Sequence, residues 1–132
     1  MKNKTDILSS NWINRTVEWI KSQLEDEMAF PENIITGIQV EEKNNILSGK
    51  TTIRAKDNKP EITITIFVSN NVLKKKNIEQ GIKLVLIHEF CHLVDLENPD
   101  QIMRENFPEE YAMWKKAQDA QALECGVEVK WI

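Results

Sequence analysis

The sequence predicts an α+β fold, and three observations carry that prediction. A helical repeat of apolar residues opens the chain, a period-2 run from Ile62 to Val68 marks a strand near its middle, and two further helical repeats follow. The order helix, strands, helix, helix segregates the helices from a small sheet. With 132 residues the chain suits one hydrophobic core, so we expect a single unit over residues 1–132.

The elements follow in order. Over residues 5–28, Ile7, Leu8, Trp12, Ile13, Val17, Trp19, Ile20 and Leu24 recur at helical spacing. Ser9, Ser10 and Asn11 break this into a short lead segment and a helix from about Trp12 to Met28. Phe30-Pro31 ends it, because a residue before proline avoids helical geometry. Residues 34–68 read as a small mixed sheet of three to four strands. Ile34–Val40 and Thr51–Ala55 are β-branched segments, with turns at Asn44-Asn45, Ser48-Gly49 and Lys56–Pro60. From Ile62 to Val68 isoleucine and valine alternate with threonine and Phe67, the clearest strand in the chain. A helix over 77–97 is apolar all round, which points to a central, buried position. The last helix spans 108–128. Pro108 suits its first turn, Glu109 and Glu110 suit its positive end, and Trp114, Ala117, Ala120, Leu123 and Val127 give its repeat.

Composition removes several function classes. Apolar residues make up 41% and charged residues 29%, and the net charge is −4 with both signs interspersed. That balance argues against a nucleic-acid partner, and the one basic run, Lys74-Lys75-Lys76, reads as a solvated loop. No apolar stretch approaches the ~20 residues of a membrane span, and no apolar segment follows the charged start as in an export signal. Cys91 and Cys125 form no CxxC pair, so reduced thiols in a cytoplasmic protein are expected.

His88-Glu89-Phe90-Cys91-His92 fits the pattern HExxH inside the central helix, and these are the chain's two histidines. Residues four apart lie one turn apart on the same helix face, so both imidazoles can reach one zinc ion at about 2.0–2.1 Å. Glu89 sits about 100° round the helix from His88, close enough to take a proton from a zinc-activated water without ligating the metal. Two imidazoles in one buried helix would each otherwise need a partner.

On this motif the chain resembles the zincin metallopeptidases, and in its order of strand, HExxH helix and second helix over Ile62 to Glu128 it resembles their short gluzincin-like members. The resemblance implies a small zincin-like fold, one catalytic Zn²⁺ ion held by His88 and His92, Glu89 as general base, and a peptide or protein substrate. It also implies that Glu61 to Val68 rims the cleft and pairs with an extended peptide. The third metal ligand is expected to be a carboxylate, since Asp95 and Asn98 stand where the metzincin pattern needs glycine and histidine. Glu124 is the first choice, with Glu128 one turn later to orient a histidine; Asp119 and Glu110 are its rivals. Asp95 reads as an acceptor for a histidine N–H or as a helix-end acid. Cys91, Cys125 and Tyr111 read as core or rim residues, and the four tryptophans as packing residues. Short relatives of this kind can be latent, which suggests residues 129–132 as a segment blocking the site. The expected activity is therefore that of a zinc endopeptidase, with latency or narrow specificity left open; the alternative is a non-catalytic or regulatory zincin-like metal-binding module that recognises a partner protein.

Overall fold

The computed structural model describes residues 7–42, 46–56, 59–120 and 123–131. The class is α+β, with five helices and a four-stranded mixed sheet among these residues. In chain order they are α1 (Ser10–Gln23), β1 (Ile35–Val40), β2 (Leu47–Lys56), β3 (Lys59–Val68), α2 (Asn70–Leu73), α3 (Ile78–Val94), α4 (Pro99–Asn106), α5 (Pro108–Asp119) and β4 (Leu123–Trp131). The expected turns at Asn44-Asn45 and Asp57-Asn58, and the terminal Ile132, lie outside the described residues.

Ser9 starts α1, its hydroxyl accepting the Trp12 N–H at 3.1 Å, and Trp12, Ile13, Val17 and Ile20 turn inward. The interruption expected at Ser9–Asn11 is thus a helix cap. The sheet order is β1-β3-β2-β4. β3 runs parallel to β1 and antiparallel to β2, and β2 runs parallel to β4. Ile64, Ile66 and Val68 of β3 are fully buried, as their alternation requires, and meet α3 on one face of the sheet. Each such side chain contributes roughly 1.5–3 kcal/mol by leaving water.

α3 is the central helix. It contacts β2, β3 and β4 as well as α1, α4 and α5, which is why ten of its seventeen residues, polar His88 and Glu89 among them, are buried. It stops at Val94, three residues before the expected end, because Asp95 leaves helical geometry and its carboxylate accepts the N–H groups of Glu97 and Asn98, each at 3.0 Å.

Three expectations are corrected, and one element is new. Ser48-Gly49 lies within strand β2, near its start, and is not a turn. A Cβ on Gly49 would stand 2.4 Å from Val85 Cγ1, so the glycine serves close approach of α3 to β2. Helix α4 was unforeseen. The predicted helix over 108–128 ends at Asp119, and Leu123–Trp131 form a strand on the sheet edge. Finally, from Thr63 to Phe67 the strand expected to rim a cleft offers no free edge to a peptide, since there β3 is paired with β1 on one side and β2 on the other.

Candidate metal centre

The helical spacing does what it predicts for the two histidines. His88 and His92 lie on one face of α3 with ring centroids 4.8 Å apart and planes at 86°. α5 closes over them: the fully buried Trp114 indole stacks on His88, centroids 4.2 Å apart and planes 18° from parallel. α4 comes in beside them. Pro99 begins it, Asp100 stands in its first turn, and the Asp100 Oδ1 lies 2.7 Å from His88 Nε2.

The electrostatics favour neutral imidazoles. Burial holds His88 below its ordinary value against the opposing pull of Asp100, and burial with the neighbouring His88 pushes His92 down to about 4. Neutral imidazole is the form that binds a metal. The Nδ1 atoms of both rings are buried without a hydrogen-bond partner. Buried polar nitrogens of this kind are costly to leave unmet; an ion bound at Nδ1 would meet the demand, whereas one shared with Asp100 would bind His88 through Nε2 and leave its Nδ1 unmet. The donor set of two imidazoles and a carboxylate is the one zinc takes. By type the residues suit the ion, but among the described residues no three His, Cys, Asp or Glu side chains are grouped so as to hold one. The 2.7 Å pairing of His88 and Asp100 is a hydrogen bond, and shared coordination of one ion would lengthen it.

Glu89 points the other way round the helix, into the sheet. Its side chain is fully buried. Its Oε2 accepts the Thr51 hydroxyl and its Oε1 accepts the Gly126 N–H at 3.2 Å, while the Cys125 thiol adds a third hydrogen bond. Burial outweighs these donors and pushes the carboxyl up to about 7 from an ordinary 4.5. Gly49 makes the position possible, because a Cβ there would crowd Glu89 Cγ at 3.1 Å.

The expected third ligand is not at the site. Side chains alternate along a strand. The Cys125 thiol faces α3, 3.9 Å from the Val85 carbonyl oxygen, so Glu124 faces the opposite side of the sheet, where it is exposed. Glu128, expected to orient a histidine, pairs instead with Lys50 at 2.5 Å. Asp119 is exposed at the end of α5, and Glu110 is half-buried in its first turn. The carboxylate that reaches an imidazole is Asp100. A Pro-Asp pair that could start a helix was its one signal in the sequence. Thr51, Gly49 and Gly126 had none, because they approach Glu89 only through sheet pairing. Asp95 is the helix-end acid of its two readings. Cys91 is core, and burial raises both thiols far above their ordinary range. The segment 129–131 pairs with Ile53 to Ala55 of β2, and the β4 groups that touch Glu89 lie upstream at Cys125 and Gly126.

Compared with family models, curated proteins and solved structures, the chain matches none. Among the described residues, no helix is long and apolar enough to cross a membrane.

Proposed function

We propose that this chain is a zinc-dependent endopeptidase in which His88, His92 and Asp100 hold the metal and Glu89 is the general base. The observation that carries the reading is a pair of neutral, partly unpartnered imidazoles on one face of α3, with the Asp100 carboxylate against His88 and, next to His88 in the sequence, a carboxyl tuned to about 7. The chemistry a zinc ion supplies when bound is Lewis acidity, which makes water nucleophilic at neutral pH. Trp114 holds the His88 ring in place by stacking. Thr51 and Gly126 hold the Glu89 carboxylate against the sheet, so it acts as base only once it turns to the histidine face; there a carboxyl near 7 both accepts a proton from water and returns it to the leaving amine. A peptide or protein is the substrate. Two unpaired thiols suit a reducing, cytoplasmic setting.

The arrangement is closed. His88 is 5% exposed and Glu89 is covered by β2 and β4, so a peptide enters only when α5 or β4 moves. This supports a latent or narrowly specific enzyme. The same burial favours the second reading, a zincin-like metal-binding module without catalysis that recognises a partner protein. One experiment separates the two: zinc content and hydrolysis of a denatured protein substrate, measured for the wild type and for Glu89→Gln. The enzyme reading expects hydrolysis that disappears in Glu89→Gln while zinc stays bound. Zinc binding in both proteins, with equal background hydrolysis, favours the module.

A further inference from the structure

A cavity lies between α3, α5, β2 and β4, lined by no residue of α1 and none of the proposed metal ligands. It has a volume of about 570 Å³, within the roughly 300–1,000 Å³ typical of small-molecule sites. Its walls are apolar: Leu47 from β2, Ile78 and Leu84 from α3, Met113 from α5 and Leu123 from β4. Small residues open it, Gly81 on α3 and Ala117 and Ala120 on α5.

Charge on the lining is one-sided. Lys75 and Lys76 stand at the mouth, both exposed, and no acidic side chain is among the described residues that line the cavity. That contrasts with a chain of 21 acidic and 17 basic residues. Among the described residues neither lysine has a salt-bridge partner. Uncharged polar side chains are limited to Asn77 and Gln80. A peptide brings backbone groups that need hydrogen bonds, whereas a hydrocarbon chain needs none. We infer that this cavity binds a small amphipathic carboxylate, of the medium-chain fatty acid class, with its tail between α3, α5 and β4 and its head on Lys75 and Lys76. The inference stands whether or not the chain is a peptidase.

Titration calorimetry of the full chain with decanoate, alongside butyrate and decanol, tests it. Decanoate is expected to bind saturably at one site and at least tenfold more tightly than either control. Lys75→Glu/Lys76→Glu, at two exposed positions and checked for an unchanged melting temperature, is expected to weaken decanoate at least tenfold and leave decanol unchanged. Ala117→Phe, which fills the cavity, is expected to remove both. No saturable binding of decanoate to the wild type would overturn the inference. So would equal affinity in the lysine variant, which would make the contact merely greasy.

Discussion

Glu89 is where two demands on one residue collide. A carboxylate with three hydrogen-bond donors would ordinarily ionise easily, yet complete burial dominates and its carboxyl rises to about 7. The stability consequence has a definite sign. A carboxyl raised in the folded state stabilises the fold below the unfolded value near 4.5 and loses that contribution as pH rises towards 7. The loss amounts to about 3 kcal/mol at most. The depressed imidazoles act oppositely, adding stability as pH rises from about 4 to 6.5. The two are separated by comparison with Glu89→Gln. In chelated protein, urea unfolding is expected to show the variant gaining on the wild type between pH 4.5 and 7 and holding level above. A difference independent of pH would refute the burial account. Gly49 makes a second test at this scale. Alanine there meets Val85 Cγ1 at 2.4 Å, so Gly49→Ala is expected to cost about 1–3 kcal/mol and lower the melting temperature.

Among the elements, the sequence was legible where one pattern dominated. The alternation of β3 and the capped repeat of α1 became a strand and a helix. The helical stripe of α3 delivered His88 and His92 to one face. Legibility failed at the C-terminal third for a physical reason. Ala117, Ala120, Leu123 and Val127 keep helical spacing, but Leu123, Cys125, Val127 and Val129 also alternate. Pairing with β2 decided between the two periods, and sheet pairing is not visible in a local window. α4 escaped because only Ile102 and Met103 of its eight residues are large and apolar. Since Asp100 rides on α4 and Glu124 on β4, these two misreadings explain why Glu124 was expected beside the histidines and Asp100 was not. β4 is an edge strand laddered on one side, whereas β3 is laddered on both. Amide hydrogen exchange is therefore expected to be faster in Leu123–Val129 than in Ile62–Val68, and equal protection would contradict this placement of β4. Trp114 joins α5 to His88 of the proposed metal centre. Trp114→Ala is expected to cost roughly 3–5 kcal/mol and to weaken zinc binding through the unsupported His88 ring.

For the whole molecule, one face of the sheet meets α3, while the other carries mainly polar residues such as Lys50, Thr65 and Glu124, with Ile35 and Phe67 among them. A small domain of this kind gains from any ligand that binds only its folded form. Zinc held by groups from α3 and α4 would tie the central helix to its neighbour. At a free concentration about 100 times its dissociation constant, it would add roughly 2.7 kcal/mol to the unfolding free energy. The test that bears most directly on the account is zinc stoichiometry and affinity in the wild type and in His88→Ala, His92→Ala, Asp100→Ala and Glu124→Ala. We expect one zinc per wild-type chain, none in either histidine variant, markedly weaker binding in Asp100→Ala, and wild-type binding in Glu124→Ala. A wild type that takes up no zinc, or a Glu124→Ala variant as impaired as Asp100→Ala, would contradict the metal centre described here.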